Sequence, residues 1–457
     1  MASQHSSQPI SRTSKGSGNA TMISTLTSRW RTAVAFLSLL AGTNYVSFTF
    51  GKTATILGEL MLYGQAGSDA PPCPPNATTP MLRGSGDQAA PGDGSAGDGK
   101  SLPPRPVYHE PSPHLWEGTP LVEPHGGKKT VLVTGAAGFI GSHVSLALLE
   151  RGDSVVVVDE LNDYYDVEVK RGNLALLREK AQEMSERNGG SPHDLLSIYV
   201  GDVNNATLMT GVFERHRPGW VCHLAARAGV RPSIDDPLLY VRANVAGTTN
   251  MLEYSRLHSV RNVVVASSSS VYGESGSTYF SEAEDVDYPV SPYAATKRSG
   301  ELISRTYHRL YDLNITNLRF FTVYGPRGRP DMAPYKFIRR ISEGERIDRY
   351  GDGSTSRDYT YVDDIVDGVV RAIDRAYPCE VFNLGKGSGT TLSEFIGLVE
   401  RHTGRVANVR VMPEQPGDVP FTNADVSKAR RLLGYEPRVT MEEGIRRTVT
   451  WYNKTFG

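Results

Sequence analysis

Apolar residues in this chain gather in short runs at 131–133, 154–158, 195–200, 220–224, 262–266 and 315–319. Runs of this length, rich in β-branched residues, read as buried strands. Helical patterns separate them; after the first run, Val144, Leu148 and Leu149 keep helical spacing. The alternation predicts an α/β fold, a doubly wound parallel sheet covered on both faces. A smaller region follows the last of these runs, beyond about residue 318. In such sheets ligands bind at the carboxyl ends of the strands. Gly135, Asp159, Asp202, Ala225 and Ser268 all fall at such ends.

A different pattern occupies the front of the chain. Residues 32–51, TAVAFLSLLAGTNYVSFTFG, are uncharged and mostly apolar, a length suited to one membrane-spanning helix. Arg29 and Arg31 lie just before it, which assigns residues 1–31 to a cytosolic tail. The primary expectation is a retained signal anchor, giving a single-pass type II protein of the Golgi membrane with a lumenal catalytic domain. The Ser-rich, acid-poor composition also fits an organellar transit peptide, which is the alternative. Residues 52–127, dense in Pro, Gly and Ser, read as a flexible stem. The globular domain is expected over 128–457.

Charge and cysteine content narrow the function. A net charge of -1 gives no bulk attraction to nucleic acid. Cys73, Cys222 and Cys379 are too few for a disulfide framework and lack metal-ligand spacing.

The first strand runs into TGAAGFIG, in which Gly135, Gly138 and Gly141 open a helix. Glycines there permit a tight turn and close backbone approach to a pyrophosphate, with free N–H groups at the helix start. The second strand ends at Asp159, about 20 residues past the turn, where a carboxylate binds the ribose diol of an adenosine. That carboxylate would repel a 2′-phosphate, so the cofactor is NAD rather than NADP.

Tyr293 and Lys297, in SPYAATK, stand four apart and share a helix face. A free phenol, with a pKa of about 10, is a poor base at neutral pH. The Lys297 ammonium is expected to lower that value, with Ser268 holding a substrate oxygen against the phenol. The trio suits removal of a proton from an alcohol while NAD takes the hydride.

Taken together these motifs resemble the extended short-chain dehydrogenase/reductases acting on nucleotide sugars, and within them the UDP-glucuronate 4-epimerases. The resemblance spans 129–457 and also rests on DYYD at 163–166, HLAARAGVR at 223–231, SSSSVYG at 267–273, LRFFTVYGPRGRPDMA at 318–333 and GDGSTSRDYTYVDDI at 351–365. It implies an NAD site of Gly135, Gly138, Gly141, Asp159, Asp202 and Val203 for the adenosine and pyrophosphate half. Ala225, Ala226, Asn244, Tyr293 and Lys297 would surround the nicotinamide half. It implies Ser268, Tyr293 and Lys297 as catalytic, and Arg357 and Asp418 as holders of the nucleotide. A homodimer built on a helix pair, one helix carrying Tyr293, is implied as well. One departure is visible: Arg327 stands where the family usually has Trp.

The sugar is read from the neighbours of Ser268. The 4-keto form of a uronic acid is a β-keto acid that loses carbon dioxide readily, so an epimerase must hold its carboxylate with fixed donors. Ser269, Ser270 and Thr322 offer hydroxyls and Arg329 a cation. Related dehydratases carry Asp-Glu at 269 and 270, and the decarboxylases a Glu at 270; serine replaces neither as an acid or base. The expected reaction is the interconversion of UDP-glucuronate and UDP-galacturonate. The alternatives are a UDP-glucose/UDP-galactose 4-epimerase and a non-catalytic NAD-binding scaffold.

Overall fold

The structure is a computed structural model and describes residues 118–413 and 421–457. The expected membrane span at 32–51, and the stem up to residue 117, lie outside the described residues. Among the described residues no helix is long and apolar enough to cross a membrane.

Thirteen strands are described, in chain order β1 (Thr130–Thr134), β2 (Ser154–Asp159), β3 (Leu196–Val200), β4 (Trp220–His223), β5 (Asn262–Ser268), β6 (Ile315–Phe320), β7 (Thr322–Tyr324), β8 (Arg346–Tyr350), β9 (Ser356–Arg357), β10 (Tyr359–Tyr361), β11 (Cys379–Leu384), β12 (Thr390–Thr391) and β13 (Asn408–Met412). Seven form the main sheet in the order β11-β6-β5-β4-β1-β2-β3. Every pairing in it is parallel. The order reverses beside β1, because β2 and β4 flank it. That switch point sets the glycine turn at the middle of the carboxyl edge.

The longer helices are α1 (Phe139–Arg151), α2 (Val167–Asn188), α3 (Ala206–His216), α4 (Gly247–Leu257), α5 (Pro292–Tyr311), α6 (Ala333–Glu343), α7 (Val362–Asp374), α8 (Leu392–Thr403), α9 (Ser427–Leu433) and α10 (Met441–Phe456). Val131, Val133, Val155 and Val157 face one core with residues of α1, α2 and α7. Leu132, Val156 and Val158 face the other with residues of α3 and α4. This period of two is why the apolar runs are unbroken: both faces of each strand are covered. Each such side chain contributes about 1.5–3 kcal/mol by leaving water.

A third core joins α6, α8 and α10 to β8 and β10. It belongs to the smaller region built around the parallel pairs β7–β10 and β8–β13 and the antiparallel ribbon β9–β12. The region begins one residue past β6, and β11 returns from it to the edge of the main sheet.

Candidate active site

The glycine turn is shaped as a cradle. Gly135 has φ +70°, and a Cβ on it would stand 2.7 Å from the Ala225 amide nitrogen. A Cβ on Gly141 would collide with the Gly135 carbonyl. Helix α1 starts at Gly138 with no side-chain cap and no acid in its first turn. Its first amides are therefore free for an anion. Asp159 ends β2 and bridges backbone: Oδ2 accepts from Ala137 N at 3.0 Å and Oδ1 from Leu161 N at 2.9 Å. Burial raises its pKa, and these two amides oppose the rise. Cradle, open helix start and buried acid fit an NAD diphosphate and its adenosine ribose.

Asp202 accepts from Asn204 N at 2.9 Å and pairs with Arg242 at 3.1 Å, so its oxygens serve a turn and an ion pair. Val203 is buried beside it. Ala225 donates its amide to Thr134 Oγ1 at 3.2 Å. Asn244 lies in a π-helical turn, Val241–Ala246, and is buried. Its Oδ1 accepts from Arg227 N at 2.8 Å, and its Nδ2 donates to Arg227 O at 2.9 Å and Thr296 Oγ1 at 3.0 Å. Asn244 thus clamps the strand end that carries Ala225 and Ala226 to the helix of Tyr293.

Helix α5 begins under Ser291, whose Oγ accepts from Ala294 N, with Pro292 at its first position. The Tyr293 amide, which a helix start leaves orphaned, donates to Ser233 Oγ at 3.1 Å. Ser268 and Arg329 both act on the Tyr293 phenol to favour its ionised form. Burial outweighs both and raises the phenol's pKa above its ordinary value. Lys297 is not among the groups that move it. Its Nζ instead donates to the Ala266 carbonyl at 2.8 Å, and burial pushes its own pKa down to about 8. Desolvation is thus the largest influence on Tyr293, with Ser268 and Arg329 acting against it.

Ser268 ends β5 and caps the short 3-10 turn Ser269–Tyr272, bonding Ser270 N and Ser270 Oγ at 3.2 Å each. Arg329 reaches the Tyr293 group, but it is also gripped by Asp331, at 3.0 Å through Nε and 2.6 Å through Nη2. It lies over the Tyr164 ring, 5.3 Å from the centroid. Thr322 opens β7, bonded through its amide to Asp358 O. Arg357 sits apart on the β9–β12 ribbon and donates to Ser356 O at 2.9 Å. Asp418 lies outside the described residues. Arg327, the departure from the family pattern, takes φ +58° and faces His143 and Asp363 rather than Tyr293.

Three neighbours escaped the sequence reading. Tyr164 and Tyr240 both donate to Ala228 O, at 2.7 and 3.0 Å, and Tyr240 meets the Tyr293 ring edge-on. His223, buried at the end of β4, shares hydrogen bonds with Thr134 and Thr248. Burial and Lys297 together push its pKa down to about 3, so it is neutral. Tyr164 and His223 lie within motifs quoted above, but nothing in local spacing singles them out.

A family model described as GDP-mannose 4,6 dehydratase matches residues 132–448. The chain belongs to this family, within the extended short-chain dehydrogenase/reductases. It is 42% identical over 350 residues to UDP-glucuronate 4-epimerase 1 of Arabidopsis thaliana, covering 72% of this chain and 78% of that one. It is 43% identical over 321 residues to UDP-glucuronate 4-epimerase of Thermodesulfobacterium geofontis, covering 70% and 95%. Among solved structures it is similar to UDP-glucuronic acid 4-epimerase from Bacillus cereus in complex with UDP-glucuronic acid and NAD. That match has a TM-score of 0.64 and 34% identity, covering 72% of this chain and all (100%) of that one. UDP-glucose 4-epimerase from Thermotoga maritima matches with a TM-score of 0.63 at 34% identity, covering 72% and 100%.

Proposed function

We infer that this chain interconverts UDP-glucuronate and UDP-galacturonate by inverting C4 with NAD as its cofactor. One observation carries the choice. Ser269 and Ser270, on the turn capped by Ser268, present hydroxyls and no carboxylate at the positions where the related dehydratases carry Asp and Glu. The acid and base that dehydration of the sugar requires are absent there, although the family model takes its description from a dehydratase.

Bound NAD supplies the acceptor for the C4 hydride and then its source. Tyr293 removes the proton of the sugar 4-OH and later returns it. Ser268 holds the 4-oxygen against the phenol. Arg329, Ser269, Ser270 and Thr322 hold the carboxylate, so that its bond to C5 stays out of line with the 4-keto group and carbon dioxide is retained. Arg357 and Asp418 hold the nucleotide while the sugar turns. The Asp331 grip on Arg329 leaves Nη1 as the guanidinium nitrogen without a bond to Asp331.

The same reading includes a homodimer and a membrane anchor. Helices α4 and α5 expose Leu257, Leu302, Leu310 and Tyr311, an apolar face that a second copy would cover. Residues 32–51 would hold the enzyme as a type II protein of the Golgi membrane, or residues 1–58 would direct it to an organelle. The decisive assay gives the purified protein UDP-glucuronate and separates the products. UDP-galacturonate is expected; UDP-xylose or no conversion at all would overturn the reading.

A further inference from the structure

The loop that leaves Asp159 is pinned from the helix that follows it. Lys170 of α2 is buried, and its Nζ donates to Asn162 O at 2.6 Å and to Asn162 Oδ1 at 2.8 Å. Asn162 Oδ1 accepts in turn from the Tyr164 amide at 3.2 Å. The Tyr164 hydroxyl then reaches two other segments at once. It donates to Ala228 O at 2.7 Å and accepts from Arg329 Nη2 at 3.4 Å. A glycine leaves room for it: Gly229 has φ +114°, and a Cβ on it would stand 2.7 Å from the Tyr164 hydroxyl oxygen.

Arg329 is therefore held on two sides. Asp331 takes one edge of the guanidinium, through Nε at 3.0 Å and Nη2 at 2.6 Å. Tyr164 takes the face, with its ring centroid 5.3 Å away, and shares Nη2 through its hydroxyl. An arginine stem has several free torsions, and its fork meets a carboxylate well only in the right plane. Asp331 sets one edge of that plane and Tyr164 sets its tilt.

We propose that Tyr164 is a positioning residue for sugar selectivity: its hydroxyl and ring hold the Arg329 guanidinium where the carboxylate of an acidic nucleotide sugar meets it. The proposal rests on the reading above that Arg329 holds that carboxylate. It brings the loop after β2, which starts at the acid expected to bind the cofactor's ribose, into the choice of sugar. Tyr240 supplies an internal control. It donates to the same Ala228 carbonyl at 3.0 Å but packs on the Tyr293 ring.

The test measures dissociation constants for UDP-glucuronate and UDP-glucose by calorimetry. The protein is NAD-loaded and carries Tyr293→Phe, so that neither sugar turns over. Adding Tyr164→Phe keeps the ring and removes the hydroxyl. The preference for UDP-glucuronate is expected to fall by roughly three- to tenfold, with NAD content at the level of the parent protein. Tyr240→Phe should leave that preference where it was. In an Arg329→Ala background, Tyr164→Phe should change it no further, because the two residues act as one unit. An unchanged preference in Tyr164→Phe would overturn the proposal. So would equal losses for both sugars, which mark a packing role, or an equal effect of Tyr240→Phe, which assigns the effect to the Ala228 turn. A further fall in the Arg329→Ala background would overturn it as well. If protein with Tyr164 and Arg329 intact binds the two sugars alike, it is the carboxylate reading that fails, so the two failures are separate results.

Discussion

Lys297 donates its ammonium to the carbonyl of Ala266, at 2.8 Å, on the strand that ends two residues later in Ser268. The bond ties the Tyr293 helix to the strand that delivers the hydroxyl. Lys297 is therefore both a charge and a fastening. Lys297→Met keeps much of the stem's bulk but removes both roles. Turnover should fall by at least about a hundredfold, with bound NAD reduced. Cofactor content of the purified variant, measured by absorbance after denaturation, separates this from a loss of chemistry alone.

Tyr293→Phe removes only the ionising oxygen. The edge contact with Tyr240 and the amide bond to Ser233 do not involve it. The variant should fold, retain NAD and lose turnover by roughly 10²–10⁴. Thermal unfolding and product analysis together check this; normal turnover would remove Tyr293 from the mechanism.

In wild-type protein without NAD, burial should keep the Tyr293 phenol protonated past its ordinary range. A raised folded pKa means the folded state binds more protons than the unfolded state through that window. Stability from this group is thus lost, not gained, as pH rises through the unfolded value of about 10. A phenolate absorbance titration of wild type against Tyr293→Phe should show the missing group ionising late. Early ionisation would mean that Ser268 and Arg329 outweigh desolvation.

Arg329→Ala should damage turnover of UDP-glucuronate by at least tenfold more than that of UDP-glucose, since only the former presents a carboxylate. Equal losses would assign Arg329 to packing against Tyr164. Competition assays with the two sugars supply the ratio.

Two glycines make a paired test of the cradle. At Gly141 a Cβ would strike the Gly135 carbonyl, so Gly141→Ala should deform the turn and abolish NAD retention. At Gly172, within α2, a Cβ would meet nothing within 4 Å. Gly172→Ala should raise stability by about 0.5–1 kcal/mol and leave NAD binding alone. Unfolding midpoints and cofactor content of both variants decide the matter.

The glycine turn was legible because its constraint is local. Gly135, Gly138 and Gly141 lie within one turn of chain, and their roles follow from steric contact with that same turn and with the next strand end. The Tyr293–Lys297 pair was legible for the same reason, as a helical spacing of four. Asn244 was visible as a residue but not as a clamp, because its partners Arg227 and Thr296 are 17 and 52 residues away. Tyr164 meets Ala228 across 64 residues. Nothing in local pattern marks such pairs, since they form only when separate strand ends are gathered on one edge.

Period, glycine sterics and short spacing act within one element, so the order of strands and helices, the glycine turn and the four-residue spacing of Tyr293 and Lys297 could be read from the chain alone. The tertiary structure alone decided the electrostatics. It half-buried Tyr293 where desolvation outweighs its partners, turned Lys297 toward the Ala266 carbonyl, and set the buried Glu301–Arg319 pair between α5 and β6. Those effects depend on which elements exclude water from one another, and that is settled only when α5 packs against β5 and β6.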